Sequence, residues 1–224
     1  IEKDLPTWIF DTIQQPLMNL GQSPATFIFL ALLAQLLWFF GLHGMNIVDS
    51  VMKPLYEPAK LDNIDAFSKG LQPQYALTRN FIDVYAMPGG SGGTIGLLIA
   101  IFIFSKREES RELAKLAIAP ACFQINEPVI FGLPIILNVT YFIPFLLNTP
   151  LLLFIAWVFT EPIPFAHYIC VDVPWTCPPV FSAFFATGGD WKATVLSAAL
   201  LVLSVLLWTP FVLMANRQKD VEEA

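Results

Sequence analysis

The chain has 224 residues, of which 56% are hydrophobic and only 13% charged. Its mean hydropathy is +0.63. A soluble domain carries about 25% charged residues, so half the usual charge combined with long uncharged runs points to an integral membrane protein. A net charge of −6 with no basic patch excludes a nucleic-acid binder.

The chain opens IEKDLP without a methionine or a cleavable signal, as expected of a fragment of a longer protein. The first apolar run, Ala25–Leu42, ends in WFFGLHG, where Gly41 and Gly44 flank His43. Residues 49–83 are polar with mixed charge and read as an interfacial loop, with a surface helix as an option within it. The run Val84–Ser105 contains MPGGSGGT and leaves only Ile95–Phe104 continuously apolar. That stretch reaches about 15 Å, half a bilayer. Lys106, Arg107, Arg111 and Lys115 follow, and Arg217 and Lys219 follow the last run. Both clusters fit the cytoplasmic side. Leu116–Asn138 divides at Asn126-Glu127-Pro128 into two half-membrane arms.

Val139–Thr160 and Thr194–Asn216 carry no charge. Each covers roughly 33–35 Å, enough to span a bilayer with some tilt. Between them Glu161–Gly189 is broken by Pro162, Pro164, Pro174, Pro178 and Pro179. Apolar half-helices interrupted by Gly or Pro are the pattern of re-entrant hairpins, whose unpaired backbone is tolerated only where it lines a cavity. The expected fold is all-α: transmembrane helices plus re-entrant half-helix hairpins around a cavity.

Glu127 stands out, because no Lys or Arg occurs from Leu116 to Trp191. An intramembrane carboxylate defaults to function, although a cap role beside Pro128, at the start of a helix, is also available. His43 reads either as a structural hydrogen-bonder or as a partner of Glu127, the two holding a hydroxyl between donor and acceptor. Trp38 and Trp175 read as interfacial belt residues or as faces on which a sugar packs. Asn126, and less strongly Gln35, add amide groups. The Gly89–Gly93 run offers backbone N–H groups or, more simply, close packing. Cys122, Cys170 and Cys177 lack basic neighbours, so no activated thiolate is expected. The histidines lack ligand spacing for a metal. The expected pocket is uncharged apart from Glu127.

INEPVIFGLPIILN (Ile125–Asn138) resembles the signature of the membrane-embedded enzyme IIC components of bacterial PEP-dependent sugar phosphotransferase systems, in the lactose, cellobiose and diacetylchitobiose family. WFFGLHGMNIVD (Trp38–Asp49), MPGGSGGTIGL (Met87–Leu97) and VDVPW (Val171–Trp175) resemble three further blocks in family order. Val139 follows Asn138 where proline is common. The resemblance implies that residues 1–224 form the C-terminal sugar-binding half of a permease, with the N-terminal scaffold half absent. It places Glu127 and His43 near the sugar C6 hydroxyl, either acting as general base, with Asn126, Trp38 and Trp175 completing the site. It implies a β-linked disaccharide substrate, a phosphorylated IIB partner carrying the donor cysteine, and no cofactor. It implies a homodimer at full length and a multi-pass position in the bacterial cytoplasmic membrane. Because the donor cysteine lies on IIB, the implied role is a transport subunit, and whether the chain itself counts as an enzyme stays open. Two alternatives share the architecture: an ion-coupled secondary sugar transporter using Glu127 as coupling site, and a truncated, non-transporting sugar-binding membrane protein.

Overall fold

The computed structural model describes residues 8, 12, 15–133 and 135–222. The IEKDLP opening and Pro134 lie outside the described residues. Within them the secondary structure is helix and turn, without strands: α1 (Gln15–Gly21), α2 (Pro24–Phe39), α3 (Gly44–Ser68), a π-helical turn at Ile82–Ala86, α4 (Thr94–Phe104), α5 (Glu108–Cys122), α6 (Glu127–Gly132), α7 (Val139–Thr160), α8 (Phe181–Ala186) and α9 (Trp191–Glu222).

Helix α2 starts behind Ser23 with Pro24 in its first turn, where a missing N–H is harmless. It stops where Gly41 takes φ +82, a value few other residues adopt. The chain then turns into α3, which His43 caps: its Nδ1 accepts from the Asn46 N–H at 3.3 Å. The two helices approach so closely at Gly44 that an added Cβ would lie 1.8 Å from the Ala34 carbonyl oxygen. Backbone cannot swing aside as a side chain does. Gly44→Ala is expected to destabilise the protein by about 1–3 kcal/mol through overpacking, read as a lower melting temperature in detergent. An unchanged Tm would mean that the α2–α3 contact is looser than described.

Helix α3 departs from the sequence reading of residues 49–83. It runs for 25 residues through Pro54 and Pro58. The loop reading failed over Asp49–Ser68, and the helix there is packed instead of lying on the surface, because two prolines and several charges mask a helical spacing. Met45, Val48, Met52, Leu55, Tyr56, Ala59 and Asn63 recur at three- and four-residue intervals and are all buried. The Leu116–Asn138 arms also differ from expectation. The first belongs to α5, which already begins at Glu108, and the second contains a helix of only 6 residues. The 11-residue α4, by contrast, matches the short arm expected after the glycines.

Helices α7 and α9 are long and apolar enough to cross a membrane over Val139–Thr160 and Trp191–Arg217. Only 44% and 28% of their most apolar windows are buried, whereas a core helix of a soluble protein would be mostly covered. Ile143, Leu147 and Phe154 on α7, with Val195, Val202 and Leu206 on α9, face outward. At the start of α7 the Asn138 side chain accepts from the Thr140 N–H at 3.0 Å. Val139 therefore occupies the first helical position, the place where proline is also favoured, and the departure from the family pattern leaves this turn intact.

Two apolar cores result. One joins α2, α3, residues 77–87, the second half of α7, α8 and the start of α9. The other joins α4, α5, α6, the start of α7 and the far part of α9.

Candidate functional site

Trp38, in the last turn of α2, and His43, at the head of α3, meet ring to ring, with centroids 4.3 Å apart and planes tilted by 46°. Trp38 is 3% exposed, so its ring backs the imidazole instead of offering a free face. Because His43 Nδ1 accepts from Asn46, the proton of a neutral imidazole resides on Nε2. Nε2 faces Glu127 Oε1 at 3.9 Å, with both side chains close to half exposed. That separation exceeds a hydrogen bond and leaves room for a hydroxyl to touch both groups.

Glu127 is the first residue of α6 and Pro128 follows in its first turn. The preceding residues do not cap the helix with their side chains. Asn126 instead donates from Nδ2 to the Ser91 carbonyl at 3.0 Å. Gln124, held at φ +68, accepts through Oε1 from the N–H groups of Gly89 and Gly90, each at 3.1 Å. Its Nε2 donates to the Asp83 carbonyl at 3.0 Å. The glycine run closes against this tip, since a Cβ on Gly90 would lie 2.7 Å from Asn126 Cγ. On the other side, a Cβ on Gly92 would meet the Phe145 ring at 2.4 Å. Close packing is what these glycines permit.

All five residues singled out in the sequence (Trp38, His43, Asn126, Glu127 and Trp175) line one cavity of about 930 Å³. Gln35 does not reach it: both its amide atoms are buried without a partner in α2. Trp175 is 58% exposed and presents an open aromatic surface.

The cavity is not uncharged, which corrects the sequence expectation. Asp49, Lys53, Glu57 and Lys60 form one stripe of α3 on its wall, joined by Arg79, Asp83 and Asp172. Seventeen residues separate His43 from Lys60, so the stripe and its histidine extend roughly 25 Å along the helix. Arg79 is ion-paired to Asp49 through Nε and to Asp83 through its terminal nitrogen at 3.0 Å. Lys53 reaches Asp49 at 2.9 Å. Lys60 binds Glu57 at 2.6 Å and, across the cavity wall, Asp172 at 3.4 Å. Partial burial pulls the Lys60 ammonium down, but the hydrogen bond and charge of Glu57, followed by those of Asp172, outweigh it and raise its pKa.

Two signals could have exposed this wall: the three- and four-residue spacing of charges from Asp49 to Lys60, and their place beside the buried face of the same helix, which Lys60 joins. Nothing local pairs Arg79 with Asp49, or Gln124 with the glycine run. Those partners lie 30 and 34–35 residues apart. None of the three cysteines is among the lining residues. Among the described residues no group of three or more His, Cys, Asp or Glu is gathered to hold a metal ion.

The family model for the EIIC component of the phosphotransferase system matches residues 5–149. The cellobiose-specific EIIC component of Lactococcus lactis subsp. lactis (strain IL1403) is 36% identical over 94% of this chain and 47% of its own length. The lichenan permease IIC component of Bacillus subtilis (strain 168) is also 36% identical, over 93% of this chain and 46% of its own. The crystal structure of the transporter ChbC, the IIC component from the N,N'-diacetylchitobiose-specific phosphotransferase system, superposes with a TM-score of 0.93 at 30% identity, covering 98% of this chain and 51% of that one. The chain thus spans about half the length of the proteins it matches. With the broken helices, the facing His43 and Glu127 and these matches in agreement, the chain belongs to the phosphotransferase system EIIC family.

Proposed function

We propose that the chain is the sugar-binding part of a phosphotransferase-system permease, the C-terminal half of a longer protein. In this reading it binds a β-linked disaccharide of the cellobiose, diacetylchitobiose or lactose type and presents the C6 hydroxyl to a phosphorylated IIB partner. The longer protein is a homodimer that crosses the bacterial cytoplasmic membrane several times. The observation that carries the reading is the facing pair His43 Nε2 and Glu127 Oε1, 3.9 Å apart in a cavity that also holds Trp175.

The chemistry follows from the tautomer. His43 is a donor at Nε2, so it holds the C6 oxygen, and Glu127 accepts the hydroxyl proton as general base. The C6 oxygen attacks the phosphorus of the IIB phosphocysteine, the O–P bond forms, the S–P bond breaks, and the cysteine leaves as thiolate. Phosphoryl transfer gains chiefly from positioning and charge management. The cavity's other acids suit that demand because cations already face them. Asn126, held by Ser91, keeps the Glu127 turn in register with the glycine run. Trp38 fixes the His43 ring, and Trp175 supplies the face on which a sugar packs.

Membranes carrying the full-length protein are the test. Phosphorylated disaccharide should form only when phosphorylated IIB is supplied, and screening cellobiose, lactose and N,N'-diacetylchitobiose identifies the preferred sugar. Gradient-driven uptake of free sugar would overturn the reading. Asp172 lies three residues before Trp175 and is tied to Lys60. Asp172→Asn should therefore alter stability by no more than about 1 kcal/mol, because the Asp172 carboxylate is mostly exposed and Lys60 keeps Glu57 as its partner. Sugar binding should weaken by up to about fivefold, with a shift in tryptophan emission. Wild-type affinity would remove the Lys60–Asp172 clip from the site.

A further inference from the structure

A second cavity shares no lining residue with the first. It is a groove of about 300 Å³ between α7 and α9, and every residue that lines it is apolar. Ile155 and Phe159 come from α7; Val195, Ala199 and Leu203 come from α9. Phe165 lies at the end where α9 begins, since Lys192 Nζ stands 6.0 Å from the centre of its ring. Phe159 and Val195 are exposed, so the groove opens outward on the two helices that are long and apolar enough to cross a membrane.

Depth and charge together say what fits there. Trp191 heads α9 and is exposed, as aromatic side chains at the level of lipid headgroups are. Lys192 follows it. Val195 comes less than a turn later and Leu203 about three turns later, so the groove runs from roughly 5 Å to roughly 17 Å below Lys192. Half of a hydrocarbon core is about 15 Å, and the groove therefore has the reach of one leaflet. The Lys192 side chain is exposed, and among the described residues no carboxylate pairs with its ammonium. The nearest acids in sequence are otherwise engaged. The Asp190 carboxylate accepts from the His167 and Lys192 backbone N–H groups, each at 2.9 Å. Glu161 accepts from the Trp157 indole N–H at 2.6 Å.

We propose that this groove binds one glycerophospholipid, with an acyl chain lying between α7 and α9 and the phosphate at Lys192. An apolar slot one leaflet deep matches the chain, and an unpaired cation at its headgroup end matches the phosphate. Arg217 lies at the opposite end of α9, and basic ends favour the cytoplasm, so the lipid belongs to the outer leaflet. The proposal needs only that α7 and α9 cross the bilayer and is independent of the sugar-binding reading.

The test is native mass spectrometry of the full-length protein, delipidated in mild detergent and titrated with palmitoyl-oleoyl phosphatidylglycerol or with the diacylglycerol of the same chains. Wild type is expected to retain one phosphatidylglycerol per chain, about fivefold more tightly than the diacylglycerol, as a partly exposed charge pair allows. Lys192→Gln should abolish that preference and leave the diacylglycerol affinity unchanged. Ala199 is exposed, so the ring of Ala199→Phe can enter the groove and should weaken both lipids about tenfold. Val195→Phe covers the case in which Ala199→Phe does not fold. Wild-type retention in a folded groove-filling variant overturns the proposal, because the lipid is then merely annular or another part of the full-length protein fills the groove. Equal affinity of wild type for the two lipids, or a preference that survives Lys192→Gln, overturns the placing of the phosphate at Lys192.

Discussion

Glu127→Gln should lower phosphoryl transfer to a bound disaccharide by roughly 100- to 10,000-fold, the range associated with losing a general base, while the protein still folds. Glutamine keeps the size and one acceptor oxygen but cannot take the C6 proton. Folding is expected to survive because the Glu127 side chain is 44% exposed and its only ion-pair partner among the described residues, His43, lies 3.9 Å away. The turn beneath it is held by other residues: Asn126 on Ser91, and Gln124 on Gly89, Gly90 and Asp83. Transfer from phosphorylated IIB to radiolabelled sugar measures the first effect and thermal unfolding in detergent the second. Wild-type transfer rates would remove Glu127 from the chemistry. A collapse in Tm would instead make it a structural residue of the hairpin.

Arg79→Ala should have the largest effect on stability, a loss of about 3–5 kcal/mol, because it breaks a mostly buried ion pair from one side. Arg79, Asp49 and Asp83 are each 16% exposed in their side chains. Without the guanidinium, Asp49 retains Lys53, but Asp83 loses its only recorded ion-pair partner among the described residues. The penalty is an uncompensated charge more than a lost contact. Removing both acids as well (Arg79→Met with Asp49→Asn and Asp83→Asn) should therefore recover much of the stability. Thermal unfolding of the single and triple variants checks this. A single variant that melts like wild type would mean that the triad adds nothing to the fold.

The interruptions of the helices were legible because glycine and proline act locally: Gly41 turns α2 into α3, and the run before Thr94 shortens α4 to half a membrane. The facing pair of His43 and Glu127 was legible for a different reason, because a carboxylate and a histidine are conspicuous in apolar sequence. The polar wall was not, since charges on α3 resemble those of a solvated surface until Arg79, 30 residues from Asp49 in sequence, folds over them. Gln124 was equally silent. A glutamine at positive φ carries no composition signal, and its three bonds go to backbone that another part of the chain supplies. The two tryptophans looked equivalent in sequence, and only burial separates one that braces a ring from one that stays open.

The Gln124 side chain also bears on how the molecule moves. One amide grips backbone at Asp83, Gly89 and Gly90, and Asn126 adds Ser91. Segments bound through so many buried bonds share a single opening event. The Gly89 amide should then exchange hydrogen with solvent at a rate set by release of the Gln124 tip and not by local fraying, and the Gly90 amide more slowly, because it also donates to the Met87 carbonyl at 2.9 Å. A movement of Glu127 relative to the rest of the protein would take the glycine run and the start of the π-helical turn along with it, which leaves the pivot to lie elsewhere in the chain.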